Sequence, residues 1–192
     1  MMVQTAIIGR LGVDTIAANG IATTMFQIIS VICYGSASAA TVLTGKTIGE
    51  GDLNRVKTNA RTMQVLFLVI GGATGAALYL LGNVIINLYI IPADAKSLAL
   101  LFMWVLSITV VGTAYQMACL TGIVRGGGDT KFVFHNDIIF MWGIVLPLSL
   151  LSAFVFKYPP LIVFICLKLD QVLKCFVAAV KVNRFKWIKK FS

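Results

Sequence analysis

The sequence predicts an all-α fold, a polytopic membrane helix bundle, and three observations carry that expectation. Four stretches, 15–45, 62–93, 97–124 and 138–156, run 19 to 32 residues without a charged side chain. A helix rises about 1.5 Å per residue and the hydrocarbon layer is about 30 Å thick, so roughly 20 apolar residues make one crossing. A hydrophobic fraction of 59% with 12% charge, and a mean hydropathy of +0.93, lie outside the range of soluble domains. The charges that remain gather in short segments between the long stretches, where headgroups and water can solvate them.

The elements follow in order. Residues 1–12, MMVQTAIIGRLG, read as the end of a helix whose beginning is truncated, with no basic segment or small-residue cleavage site to suggest a signal peptide. Five spans are expected at about 15–45, 62–92, 96–124, 132–156 and 158–180, although Lys168, Asp170 and Lys174 interrupt the inner half of the fifth. Residues 181–192 form a basic tail in which Phe185 and Trp187 stand among cations, a composition suited to the anionic cytoplasmic leaflet. Gly20, Gly35, Ser36 and Ala37 to Ala40 in the first span, and Gly71, Gly72 and Gly75 in the second, are small residues of the kind that let helix backbones approach in lipid. Pro147 removes a backbone donor within the fourth span and predicts a kink there.

The net charge of +9 is a topology signal before it is a partner signal. With alternating loops, one side collects Lys46, Arg55, Lys57, Arg61, Arg125, Lys131, Lys181, Arg184, Lys186, Lys189 and Lys190. The other side holds Arg10, Lys96 and Lys157. The positive-inside rule then places the first set, and the carboxy terminus, in the cytoplasm of an inner-membrane protein, and removes the reason to invoke nucleic acid. Cys33, Cys119, Cys166 and Cys175 show no paired spacing and lie in apolar runs, as buried small hydrophobes rather than metal ligands or disulfides. No catalytic, cofactor or metal set is evident.

Several motifs have two readings. TVLTGKT at 41–47 ends like a phosphate-binding loop, yet Ala40 stands at the first glycine position and an apolar helix precedes it, so a helix ending on a lysine is the simpler account. Two strings read Gly-x-Gly-Asp, Gly49–Asp52 and Gly126–Asp129. An intramembrane aspartyl protease would need two carboxylates facing each other at membrane depth, whereas here both acids fall in loops among cations, at the surface, where glycine turns closed by aspartate suffice. Asp137 has a stronger claim on function, lying six residues past Lys131 and so about 9 Å into the fourth span. A carboxylate at that depth costs about 2–3 kcal/mol if unpaired. Lys174, about 10 Å before Lys181 on the antiparallel last span, is the first candidate partner, Arg125 is the second, and Asp170 competes for the lysine from one turn away. The pair is read either as an ion-coupling site or as a structural lock. His135, the lone histidine, reads as an interfacial hydrogen-bonding residue, and Gln27, Tyr115 and Gln116 as candidate cavity-lining groups beside Gln64 and Asn87.

Four stretches in fixed order then resemble one family. IIGRLGVDTIAANGIA (7–22), GKTIGEGDLNRVKTNAR (45–61), GIVRGGGDTKF (122–132) followed by Asp137, Trp142 and Pro147, and YPPLIVFICLKLDQVLKC (158–175) resemble the carboxy-terminal half of the multidrug and toxic compound extrusion (MATE) family. The resemblance implies one six-helix lobe of a twelve-helix transporter, its first helix truncated. Arg125, Gly126, Gly127, Gly128, Asp129 and Lys131 would form its inner-loop motif. It further implies proton- or sodium-coupled antiport of amphipathic, often cationic small molecules, with the missing amino-terminal lobe and membrane lipid as partners. Sodium-linked members place an acid where this chain reads Thr113-Ala114-Tyr115-Gln116, and Gln171 stands where relatives often have an acid. A lipid-linked oligosaccharide flippase or polysaccharide exporter of the same superfamily is the nearest alternative, and more distant ones are the protease and a non-transporting scaffold.

Overall fold

The computed structural model describes residues 12–88, 92–156 and 158–188. The expected helix remnant lies, apart from Gly12, outside these residues, as do Lys157, Lys189 and Lys190. Among the described residues five long helices make up the fold. Helix α1 spans Val13–Gly49 and α2 spans Leu53–Leu88. Helix α3 runs over Ala93–Val124 and α5 over Pro160–Asn183. Helix α4 is a continuous succession of Thr130–Ile138, Ile139–Val145, Leu146–Leu150 and Leu151–Val155. The stretches from α1 to α4 are long and apolar enough to cross a membrane. Helix α5 has 24 residues, about 36 Å of rise, and turns an apolar face carrying Ile162, Ile165, Val172, Phe176 and Val180 outward while Asp170 and Lys174 are buried.

Helix α3 is the hub: α1, α2 and α5 all pack along it, and α4 packs mainly against α5. The approach of α2 to α3 is close because a Cβ at Gly75 would lie 2.6 Å from the Ser107 carbonyl oxygen. In α1 the small residues divide, with Ala22, Ala37 and Ala40 buried and Gly20, Gly35, Ser38 and Ala39 exposed. Two apolar clusters fill the interior. Toward the end of the bundle where α2 closes and α3 begins, Phe102 and Phe164 stack with centroids 4.2 Å apart. At the opposite end Phe67, Tyr115, Val124, Val182 and Trp187 form the second cluster. All four cysteines are free thiols, two buried and two half-buried.

The interval 46–61 between the first two expected spans is mostly helical, with a tight turn at 50–52, because α1 continues to Gly49 and α2 begins at Leu53. The phosphate-loop-like segment is therefore helical, and its Lys46 is exposed in the last turn of α1. At Pro147 the helix changes its winding. The preceding segment Ile139–Val145 widens to i→i+5 hydrogen bonds, with the Leu146 N–H donating to the Met141 carbonyl, so a missing proline donor is absorbed in a wide turn. The same widening ends α3 over Met117–Val124.

The two Gly-x-Gly-Asp strings use one device. Gly51 and Gly128 take positive φ, 80° and 92°, a conformation that costs glycine little and ends the preceding helix, and the aspartate that follows opens the next. Gly126 lies against Thr41 of α1, and Gly127 is pressed so closely on the Trp187 ring that a Cβ would overlap it. Trp187 is completely buried and its indole N–H donates to the Val182 carbonyl oxygen at 2.9 Å. The expectation that Trp187 lies on the lipid surface is thus corrected: the chain reverses after α5 through Phe185, at φ 54°, and the indole fills the gap left by Gly127. Gly127→Ala should lower stability by about 1–3 kcal/mol, the usual cost of overpacking. In a Trp187→Ala background the same change should be close to neutral, a coupling that heating purified protein and measuring its folded fraction by size-exclusion chromatography would show.

Candidate functional site

The fifth span reads Lys168-x-Asp170-Gln171-x-x-Lys174, and a helical repeat of 3.6 residues brings Asp170 and Lys174 onto one face. That face meets α3 and α4. Lys174 Nζ lies 2.9 Å from Asp137 Oδ1 on α4 and 3.5 Å from Asp170 Oδ2 one turn back. The lysine and Asp170 side chains are 9% and 10% exposed, whereas that of Asp137 is 57% exposed. The interior cation is therefore bracketed by one buried acid and one that faces open space. Asp170 is the eleventh of the 24 residues of α5, close to the middle of the span.

Polar side chains extend this group into α3. Gln171 Oε1 accepts hydrogen bonds from Gln116 Nε2 at 2.8 Å and Thr113 Oγ1 at 3.1 Å, while its Nε2 donates to Asp170 Oδ2 at 3.3 Å. The carboxamide thus joins the charged cluster to the Thr113-Ala114-Tyr115-Gln116 segment. The Thr113 hydroxyl and the Gln116 and Gln171 amides thereby each find an acceptor, as groups removed from water require. Among the described residues Asn136 Nδ2, beside Asp137, is buried without a hydrogen-bond partner.

These groups line an open cavity of about 530 Å³ bounded by α1, α3, α4 and α5. Its polar wall is Asp137, Lys168, Asp170, Gln171, Lys174 and Gln116, and its apolar wall includes Phe26, Met117 and Leu167. Lys168 makes no carboxylate ion pair among the described residues. Its ammonium instead sits 5.1 Å from the Phe26 ring centroid and 5.7 Å from that of Phe164. Two lysines and two aspartates leave the cavity formally neutral, with three of the four charges gathered around Lys174 and Lys168 standing apart on the aromatic side.

Several sequence candidates fall elsewhere. Gln27 is exposed and is not part of the cavity wall, where its neighbour Phe26 stands instead. Tyr115 is buried on another face of α3, its hydroxyl donating to Gln64 Oε1 at 2.7 Å, and Asn183 Nδ2 reaches the same oxygen at 3.4 Å. One helical position, about 100°, separates Tyr115 from Gln116, which explains why only the glutamine reaches the cavity. Arg125 is exposed and borders smaller clefts, one shared with Asp137, but the short ion pair of Asp137 goes to Lys174. Lys131 is exposed, and its carbonyl lies 2.7 Å from a ring nitrogen of His135.

The two turn aspartates have separate fates. Asp52 is exposed and caps α2, accepting the N–H groups of Asn54 and Arg55 at 3.0 Å each. Asp129, expected at the surface, is buried, and its Oδ2 lies 2.8 Å from Lys181 Nζ. The correction follows from α5, whose end lies against the α3–α4 turn and supplies a cation that local sequence does not reveal. Sequence inspection missed Lys168 as a cavity residue because it registered only as an interruption of an apolar run.

The MatE family model matches residues 1–151. A probable multidrug resistance protein NorM from Xylella fastidiosa (strain Temecula1) is 33% identical over 159 residues, covering 82% of this chain and 33% of the relative. A probable NorM from Photorhabdus laumondii is 32% identical over 143 residues, covering 74% and 31% respectively. The multidrug resistance protein MdtK of Edwardsiella ictaluri is 23% identical over 158 residues, covering 82% and 34%. The chain spans about a third of the length of these relatives. Among solved structures, a MOP superfamily transporter from Pyrococcus furiosus superposes with a TM-score of 0.86 at 17% identity, covering 99% of this chain and 42% of that one, a likeness of fold.

The charge geometry predicts unequal effects of substitution. Lys174→Met leaves Asp170 buried beside no short-range cation and should cost about 3–5 kcal/mol. Asp137→Asn removes a half-exposed partner while Asp170 still holds the lysine, and should cost less than about 1 kcal/mol. Combining Lys174→Met with Asp170→Asn should restore much of the loss, read as folded yield and melting temperature in detergent. Equal losses for the two single variants would contradict this division.

Proposed function

The chain belongs to the MatE family, and from that premise we propose that it forms the carboxy-terminal lobe of a secondary transporter exporting amphipathic, often cationic compounds by proton- or sodium-coupled antiport. The observation that carries the reading is the cavity, whose acids, lysines and carboxamides converge from three helices near the middle of the bundle. At about 530 Å³ it has the size of a small-molecule site, with an apolar wall for an aromatic body and a few polar groups for orientation. Ionisable groups placed at such depth are characteristic of ion and substrate pathways.

Asp137 is the acid best placed to exchange a coupling ion. It is the exposed member of the cluster, so a proton or sodium ion reaches it without dismantling the Asp170–Lys174 pair. Neutralising Asp137 releases one of the two contacts of Lys174, a change able to bias how α4 sits on α5. Alternating access further requires a second lobe rocking against this one around a site near the midplane, so we assign the partner role to a second six-helix lobe. A flippase or polysaccharide exporter is the second reading, and it draws on Lys168, a cavity cation without a short carboxylate partner that suits an anionic substrate.

Ethidium retention in drug-sensitive bacteria separates these readings. Cells producing this chain with the amino-terminal half of a NorM-type relative should retain less dye than cells producing either alone, and Asp137→Asn should abolish the pH-driven part while both halves stay in the membrane. Unchanged retention with both halves present would count against drug export. Orientation has its own test. With the basic ends cytoplasmic, a single cysteine at Asn54 should resist a membrane-impermeant thiol reagent in intact cells, and one at Asp94 or Tyr158 should react, on a cysteine-free background. Strong labelling at Asn54 would reverse the topology.

A further inference from the structure

At the carboxy-terminal end of α5 a groove of about 400 Å³ runs along the outward face of the helix, away from the central cavity. Its floor is apolar, formed by Phe176, Val177 and Val180, and its end is ringed by Lys181, Arg184 and Lys186. Phe176 is 69% and Val180 53% exposed, so this floor faces whatever surrounds the bundle. From Phe176 to Arg184 is eight residues, or about 12 Å along the helix, the distance over which hydrocarbon gives way to headgroups. No lining residue is acidic.

The basic rim is built into the fold. Phe185 adopts φ 54°, and its ring turns toward α2, where Lys57 Nζ and the Arg61 guanidinium lie 5.6 and 5.8 Å from its centroid. Trp187 is locked beneath Gly127. With these two aromatics drawn inward, Arg184 and Lys186, exposed and forming no ion pair among the described residues, are left on the groove side. Lys181 is already matched by Asp129 at 2.8 Å and stands over the Phe132 ring at 3.8 Å. Two uncommitted cations remain at the rim. The carboxy-terminal helix dipole amounts to about half a negative charge and does not cancel them.

We propose that this groove is a binding site for an anionic phospholipid, with one acyl chain along Phe176, Val177 and Val180 and the phosphodiester between Arg184 and Lys186. Charge complementarity favours a net-anionic headgroup over a zwitterionic one, whose own cation offsets the phosphate, the apolar floor favours a lipid over a soluble anion, and the groove opens at the depth where both parts of the lipid reside. The bound lipid ties the end of α5 to the chain reversal that carries Trp187, and so supports the junction on which the α3–α4 turn rests.

The test uses the purified chain in a neutral detergent, titrated with dioleoyl phosphatidylglycerol or dioleoyl phosphatidylcholine and read by native mass spectrometry and thermal unfolding. The phosphatidylglycerol should give a retained one-lipid adduct and a raised melting temperature, and phosphatidylcholine neither. Arg184→Gln with Lys186→Gln should weaken the apparent affinity about thirtyfold, roughly fivefold for each cation, without changing the lipid-free melting temperature. Lys46→Gln with Arg55→Gln, two exposed cations at the same end of the bundle, should leave the adduct intact. Equal binding of phosphatidylcholine, equal weakening by both double variants, or the same stabilisation by soluble glycerophosphoglycerol would each overturn the proposal. The first would remove headgroup selectivity, the second would reduce the effect to net charge, and the third would leave a simple anion site with no role for the apolar floor.

Discussion

A buried ammonium ion has to be met by carboxylates, and in this fold that requirement falls on α5, the long helix that carries charge in its middle. Lys174 is met by Asp170 from its own helix and by Asp137 from α4, so α5 keeps its charges inside and shows apolar side chains outside. Had the helix been rotated by half a turn, the same residues would face lipid at a cost of several kcal/mol each. The orientation of α5 then fixes what lies around it. Gln171 reaches Thr113 and Gln116, Lys168 reaches Phe26, and the cavity opens between them.

The end of α5 has a second consequence, at the α3–α4 turn. Gly126 to Asp129 reads as a local turn motif, but three of its four residues are defined by distant partners: Gly126 by Thr41, Gly127 by Trp187 and Asp129 by Lys181. Gly49 to Asp52 spells the same string and stays local, its aspartate capping the helix it begins. The strings differ in surroundings rather than in letters. One turn lies under the carboxy-terminal reversal, and the other stands free at the end of two long helices.

The cavity shows why substrate class is harder to read than family. Aspartates alone would suggest cations, yet two lysines share the wall and cancel the formal charge. What remains is a polar, partly aromatic surface without net charge. The half-exposed Asp137 and the buried Asp170 form a graded pair in which one acid communicates with the open space and the other holds the lysine in place. The MatE family match and the fold shared with a MOP superfamily transporter place this cluster within a transporter-like helix bundle, and the chain spans about a third of the length of its NorM-type relatives.

Sequence by itself determined the helix count within the described residues, the apolar character of the spans and the family. Each of these follows from rise per residue, charge-free length or the order of motifs, which are properties of the chain read along one dimension. The pairing of Asp137 with Lys174 was also within reach, because two antiparallel spans with known starting points bring residues of equal depth level. Tertiary structure alone decided azimuth and long-range company. Tyr115 and Gln116 are adjacent in sequence but face Gln64 and Gln171 respectively, Gln27 turns outward while Phe26 turns in, and Trp187 leaves the membrane surface for the core. A helix in an apolar medium lacks the polar face that reveals rotation in a soluble protein. The direction in which each side chain points is therefore set by which neighbour arrives, and that information exists only when the helices are packed.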